Sequence, residues 1–242
     1  ESGAGSGTMV ERLHDWGFLP AVSRHVPVEY FAVEPQESLI PVLRDRLDAS
    51  PEISTGTAYH GTVDEVMQER MHEADVLIAH AVLDLFPARR AAEIAARLVR
   101  PGGLLYASIT FDGETFFEPE IDPTLDGQVR ELYHRSMVRD EAGQTGFARK
   151  LLTALPAAGL NVDAVGSSDW IIRPQVTAGG TTGYPPGEQE FLESILSMVE
   201  ASLRDEMPAS ERDRWLTARR GQLREGALIY IAHQLDMLAL RP

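Results

Sequence analysis

The sequence predicts an α/β fold in which a mostly parallel sheet carries helices on both faces, and four segments make that prediction. The first seven residues, Glu1-Ser2-Gly3-Ala4-Gly5-Ser6-Gly7, place glycines at every second position after an acidic residue. This is the pattern of a strand end turning tightly into a helix, where glycine admits positive φ and lets a ligand approach the backbone. Two apolar, β-prone runs follow at residues 28–33 and 75–84, the first closed by Glu34-Pro35 and the second opening into a loop. The fourth segment, residues 98–107, reads as a helix stopped by Pro101-Gly102-Gly103 and followed by another apolar strand. Strands alternating with helices imply right-handed crossovers, a parallel sheet and a ligand at the carboxyl ends of the strands.

In order along the chain, residues 8–15 continue the first helix and residues 16–26 form a long connection to the second strand. Residues 36–48 read as a helix, 53–59 as the third strand, 63–72 as a helix and 75–80 as the fourth strand. An alanine-rich helix of good intrinsic propensity spans 87–99, and the fifth strand spans 104–111. The stretch 112–123 is too acidic and too rich in turn formers for a strand and is expected to be a loop over the active-site edge. Helical pieces at 125–137 and 146–158 are separated by 140–145, and Gly159 leads into a sixth strand at 160–165 with room to extend to 173. Residues 175–187 form a connector rich in Gly, Thr and Pro. Residues 188–204 carry Phe191, Leu192, Ile195, Leu196, Val199 and Leu203 at helical spacing, 210–224 form a more polar helix, and 227–238 read as a seventh strand.

Taken together, Glu1, Gly3, Gly5 and Gly7, the acidic strand end Glu34, and Pro101, Gly102 and Gly103 resemble the class I S-adenosylmethionine-dependent methyltransferase family. The resemblance covers residues 1–109, with a weaker continuation beyond. It implies a Rossmann-like, mostly parallel seven-stranded sheet whose last strand enters antiparallel between the fifth and sixth, so that residues 174–226 form a helical lid insertion. It also implies a donor site. Glu1 bonds near the donor's amino acid part or orients the turn, Gly3, Gly5 and Gly7 lie under the donor, and Glu34, beside Pro35, accepts both ribose hydroxyls. Ala79 and His80 stand where the family places the transferring methyl. The family's adenine-binding aspartate has no counterpart in Tyr59-His60-Gly61-Thr62-Val63-Asp64; Thr62 occupies its position and Asp64 comes two residues later, so backbone groups of Thr62 and Val63 are expected to serve.

At 242 residues the chain reads as one methyltransferase domain, with a donor-binding core at 1–111 and acceptor or lid elements at 112–158 and 174–226. Glu1 reads as the end of a strand with no strand before it, so the natural protein is expected to be longer at its N-terminus. Thirty-seven acidic against 22 basic residues give a net charge of −15, which opposes nucleic acid and anionic lipid as partners. The absence of cysteine removes disulfides, thiolate nucleophiles and Cys-based zinc sites. No apolar run approaches the roughly 18 residues of a membrane span. A donor made inside cells argues for the cytoplasm, and a homodimer is left open.

Methyl transfer from a sulfonium is an in-line displacement that depends mainly on alignment, with a base useful for a hydroxyl acceptor. His80 is the first candidate base and His134, next to Tyr133, the second; Asp84 closes the loop that His80 opens. The plainer readings are that His80 shapes the donor site through its backbone, that Tyr133 packs while His134 is a solvated imidazole, and that Glu34 caps a helix. Glu114, Glu118, Glu120 and Asp122 form an acidic run read as solvated, and no metal site is expected. Trp170, Tyr184, Phe191 and Trp215 are candidates to line an apolar acceptor pocket. The function expected is methyl transfer from S-adenosylmethionine to a small molecule, O-methylation slightly preferred. Two alternatives stand beside it. One is a nicotinamide-dependent oxidoreductase, against which Thr8 replaces the third glycine of GxGxxG; the other is a donor-binding protein without catalysis.

Overall fold

The computed structural model describes residues 1–19, 27–109, 111–137, 146–176, 180 and 182–242; the separator expected at 140–145 lies outside the described residues. The glycine turn leads into α1 (Thr8–Asp15), followed by β1 (Val28–Glu34), α2 (Ile40–Asp48), β2 (Ile53–His60), α3 (Val63–Glu69), β3 (Ala74–His80), α4 (Ala88–Leu98) and β4 (Val99–Ile109). Next come β5 (Thr115–Glu118), α5 (Pro123–Ser136), α6 (Phe147–Ala157), β6 (Asn161–Ser167), β7 (Trp170–Ile172), β8 (Gln175–Val176) and β9 (Thr182–Gly183). The chain continues with α7 (Glu188–Leu203), α8 (Ala209–Arg224), β10 (Ile229–Ala232) and β11 (Leu235–Leu240).

The chain divides into two compact units, the first made of Glu1–Ile109, Ala148–Gly166 and Asp236–Pro242. In it β1 and β2 pair in parallel, and β3, β4, β11 and β6 are neighbours in that order. Ser2 makes parallel bridges to Val33 of β1 and to Ala79 of β3, so residues 1–4 run between these two strands. Helix α4 faces the core with Ala91, Ala92, Ile94, Ala95 and Leu98, a narrow apolar stripe suited to close packing. Ala4, Val10, Tyr30, Ala32, Leu43 and Leu47 form a second buried cluster beneath the glycine turn.

Pro101-Gly102-Gly103 does not stop the helix as expected. Helix α4 ends at Leu98, and β4 begins at once with the triplet inside it. The register slips there, from Ala74 opposite Val99 to Val76 opposite Leu104. Gly103 is required by space, because a Cβ would lie 2.9 Å from the carbonyl oxygens of Ala74 and Asp75.

The second unit comprises Thr110–Phe147 and Ser167–Leu235. Helices α5, α7 and α8 bury a shared face, with Leu192, Leu196, Val199 and Leu203 of α7 wholly enclosed. Beside them β5, β10 and β7 form an antiparallel sheet centred on β10. Four expectations are corrected here. The acidic stretch 112–123 is not all loop, because Thr115–Glu118 pairs with Ile229–Ala232 and buries Thr115. The expected final strand 227–238 is two strands in different sheets, interrupted at His233-Gln234, and the sixth strand likewise stops at Ser167 before β7 begins in the other sheet. The connector 175–187 contains the short antiparallel pair β8 and β9.

Candidate functional site

The backbone of residues 1–4 is fixed on both sides. Val33 N–H donates to Glu1 O at 2.9 Å, Ser2 N–H to Ile78 O at 2.9 Å and Ala4 N–H to Val33 O at 3.0 Å. Gly3, Gly5 and Gly7 then take φ of 67°, 55° and 86°. Their reasons for being glycine differ. A Cβ at Gly3 would lie 2.9 Å from Val82 Cβ, and one at Gly7 2.9 Å from Leu43 Cδ1, whereas one at Gly5 meets nothing within 4 Å. Packing and left-handed backbone together fix Gly3 and Gly7. Gly5 faces open space, so a ligand can come against the backbone there.

Glu34, at the end of β1, is 7% exposed. Its Oε2 accepts the Gly5 amide at 2.8 Å and its Oε1 the Gln36 amide at 2.9 Å. The second bond leads into the 3₁₀ turn Glu37–Leu39, so one oxygen serves the local turn and the other the glycine turn. These bonds use two of a carboxylate's roughly four lone-pair positions, leaving capacity for hydroxyl donors. Glu1 Oε2 accepts the Tyr30 hydroxyl at 2.7 Å, and burial raises the pKa of both groups. The Pro35 carbonyl meets His60 Nε2 at 3.1 Å.

At the start of α3, Thr62 and Glu65 form a capping box: Glu65 Oε2 accepts the Thr62 amide at 2.6 Å, and Thr62 Oγ1 accepts the Glu65 amide at 3.4 Å. The Thr62 amide therefore already has a partner within the cap of α3. The Val63 amide is not used by the box. Asp64 is ion-paired with Arg90.

At the end of β3, Ala79 is fully buried between Ser2 and Ala107 and offers only backbone. His80 pairs with Ser108 and is partly buried, with no hydrogen-bond partner at Nδ1. Burial, reinforced by Arg12 and opposed by Asp236, pushes its pKa down, so the ring is neutral near pH 7. Ala81 follows with φ of 52°, an uncommon conformation for a residue with a Cβ, and donates its amide to Ser108 O at 2.8 Å. Beyond it, Val82 packs against Gly3. Sequence reasoning passed over Ala81 because alanine carries no turn signal.

The second unit holds the other candidates. His134 on α5 is 9% exposed, 5.5 Å edge-on from the Phe111 ring, with Nε2 unpartnered and its pKa lowered chiefly by burial. Tyr133 is buried beside it. The acidic run is dispersed in its tasks: Asp122 caps α5 through the Thr124 and Leu125 amides and pairs with Arg214, while Glu118 ends β5. Among the described residues no group of three or more His, Asp or Glu is arranged for a metal ion. Trp215 belongs to the core and donates Nε1–H to Asp126 at 2.6 Å, and the Tyr184 hydroxyl donates to Leu228 O at 2.8 Å. Trp170 is partly exposed against Phe191, ring centroids 4.2 Å apart. A pair missed from sequence is His233 and Asp169, Nδ1 to Oδ1 2.8 Å, whose partners come together only through the antiparallel pairing of β10 with β7.

No sequence-family model matches the chain, and no curated protein resembles it in sequence. Solved structures do match. A Bacillus halodurans C-125 protein assigned as a methyltransferase superposes with a TM-score of 0.57 at 13% identity, covering 99% of this chain and 90% of its own. The YcgJ protein of Bacillus subtilis gives 0.52 at 15% identity, covering 99% and 90%. The chain shares the fold of these two structures. At these identities the likeness is one of fold, and the activity must be argued from the residues. The glycine turn follows residues 1–4, which run parallel to β1 and β3, so the turn, the end of β1 and the end of β3 fall at the carboxyl edge of the parallel strands, where open α/β sheets take their ligands.

Proposed function

We propose that the chain transfers a methyl group from S-adenosylmethionine to a small-molecule acceptor, with a hydroxyl acceptor slightly preferred. The observation that carries this is the junction of Gly5 and Glu34: an open, left-handed glycine whose amide is tied to a carboxylate with lone pairs to spare. That pairing offers backbone approach to one part of a nucleoside-type ligand and an acceptor of two vicinal hydroxyls to another.

The donor supplies an electrophilic methyl on a sulfonium. Glu34 accepts the ribose hydroxyls next to Pro35, Gly3, Gly5 and Gly7 shape the turn, and Glu1 braces it through Tyr30. Val63, at the start of α3, is the backbone donor for the adenine in place of Thr62. Ala79 and His80 present the end of β3 to the reacting methyl. As the new bond from the acceptor oxygen to carbon forms, the sulfur to carbon bond breaks and the acceptor proton passes to a base. His80 takes that role because it is neutral near pH 7 and carries an unpartnered nitrogen; His134 is the second candidate by the same two features.

The sheet is read as seven positions: β2, β1, residues 1–4, β3, β4, β11 and β6. An antiparallel β11 is supported by Arg241 bonding Gly102 and Gly103 while Asp236 meets Tyr106, so that numbers rise along one strand as they fall along the other. The chain is taken as one methyltransferase domain, with acceptor or lid elements at 112–158 and 174–226. No helix among the described residues is long and apolar enough to cross a membrane. A donor made inside cells and a charge of −15 favour a cytoplasmic enzyme acting on something other than nucleic acid.

Calorimetric titration with S-adenosylhomocysteine, beside NADH at the same salt, tests the proposal. Micromolar binding of the former alone is expected. Binding of NADH alone would replace methyl transfer by hydride transfer, and binding of neither would remove the donor site.

A further inference from the structure

Three glycines in left-handed conformations make a turn that loses much conformational entropy on ordering, so something outside the turn must hold it. One guanidinium does so. Arg46, on α2, donates from Nη1 to the Ser6 carbonyl at 2.6 Å and to the Ser6 hydroxyl at 2.7 Å. Its Nε meets Glu11 Oε1 on α1 at 2.9 Å. Its own backbone is anchored in turn, since the Ser50 hydroxyl donates to Arg46 O at 2.8 Å. The stem runs beneath Gly7, where an added Cβ would lie 3.5 Å from Arg46 Cδ. A single side chain therefore grips the residue between Gly5 and Gly7 and the helix that the turn feeds.

We infer that Arg46 is a positioning residue for the donor: it holds the Gly5-Ser6-Gly7 backbone in the binding conformation, given the donor site proposed above. It touches neither the donor nor the acceptor. Both Ser6 acceptors and Glu11 converge on one planar fork, which a lysine ammonium, with its single nitrogen, cannot span. The turn's preorganisation then sets affinity, because apparent affinity falls in proportion to the fraction of molecules whose turn is in the competent form.

The test combines amide hydrogen exchange on the ligand-free protein with calorimetric titration by S-adenosylhomocysteine, for Arg46→Met, Arg46→Lys, Ser6→Ala and Leu98→Ala. Arg46→Met is expected to speed exchange at residues 5–8 while leaving β1 unchanged, and to raise Kd about tenfold, as when the competent fraction falls to about a tenth. Arg46→Lys should fall between it and wild type. Ser6→Ala should show a smaller change in the same amides, since the carbonyl contact survives. Leu98→Ala, which opens a cavity on α4 away from α2 and the turn, should lower Tm and leave Kd alone. Should Arg46→Met fail to fold, Arg46→Lys and Ser6→Ala carry the same comparison. Unchanged exchange at residues 5–8 in the Arg46 and Ser6 variants overturns the inference, as does a Kd that moves only in step with Tm across all the variants, Leu98→Ala included. If wild type binds no S-adenosylhomocysteine, the donor reading falls, while the exchange data still decide whether Arg46 holds the turn.

Discussion

The Gly5 amide donates to Glu34 Oε2 at 2.8 Å across 29 residues of chain, joining the glycine turn to the end of the neighbouring strand. The bond makes the carboxylate part of the turn. Removing it therefore has two effects, loss of a ligand acceptor and loss of a brace. Glu34→Ala should weaken S-adenosylhomocysteine binding by about 1 to 3 kcal/mol, the range for a hydrogen bond to a charged group. Glu34→Gln keeps the shape and one acceptor and should lose less. Equal affinity in wild type and Glu34→Ala, measured calorimetrically, would take Glu34 out of the site.

The three turn glycines should separate by experiment. Gly3→Ala meets the Cβ of Val82, which cannot move without its backbone, while Gly7→Ala meets the flexible end of Leu43. Gly5→Ala meets nothing and carries only the left-handed penalty, about 1 to 2 kcal/mol. Urea midpoints should rank Gly3→Ala as the most damaging to stability and Gly5→Ala the least. Ligand affinity should follow another order, with Gly5→Ala losing more than its stability loss accounts for. If affinity and stability instead fall together in all three, the open face of Gly5 is not where the donor lies.

Much of the first unit was legible because its signals are local. Helix α1 and strand β1 are announced by adjacent residues, and the left-handed turn by glycines that alone adopt it without cost. What was not legible depends on partners distant in sequence. The acidic β5 looks like a loop until Phe117 is set opposite Tyr230, and the break at His233-Gln234 appears only once Ala232 and Leu235 belong to different sheets. The grip of Arg46 on Ser6, like the pairing of His233 with Asp169, leaves no trace in spacing or composition. At Thr62 the capping box was there to be read, as Thr62 and Glu65 three residues apart before an apolar position.

In the second unit, Arg219 is fully buried and donates to Asp126 Oδ1, Pro119 O and Gln222 Oε1. Asp126 also accepts from Trp215 Nε1 and the Ile121 amide. Asp126→Asn would leave a buried cation without its counter-charge and should cost about 3 kcal/mol. Arg219→Met should cost less, because Asp126 keeps its other donors. Burial pushes the Asp126 carboxyl pKa up, but the Ile121, Trp215 and Arg219 interactions outweigh it and hold the group below the usual range. A depressed carboxyl contributes stability above its unfolded value, about 3.9, and loses it as pH falls through the folded value. Urea unfolding from pH 6 to pH 2 should show wild type approaching Asp126→Asn in stability; parallel curves would mean that the carboxylate charge does not matter.

His80 gives the same sign as Asp126, but nearer neutrality. Its folded pKa lies below the ordinary value because burial disfavours the imidazolium, Arg12 adds repulsion and Asp236 only partly compensates. The unfolded chain takes up a proton near pH 6.5, at a pH where the folded chain does not, so stability falls as pH drops below that value until the folded pKa is passed. His80→Gln removes this proton uptake and should flatten the fall between pH 7.5 and pH 5.5, with His134 left to account for the remainder. The same substitution tests the chemistry. If His80 is the base, His80→Gln should lower turnover of a hydroxyl acceptor by about 100-fold or more while leaving S-adenosylhomocysteine affinity within a few-fold. A His80→Gln enzyme that keeps its turnover but loses affinity would instead place His80 in donor binding, and would pass the role of base to another residue.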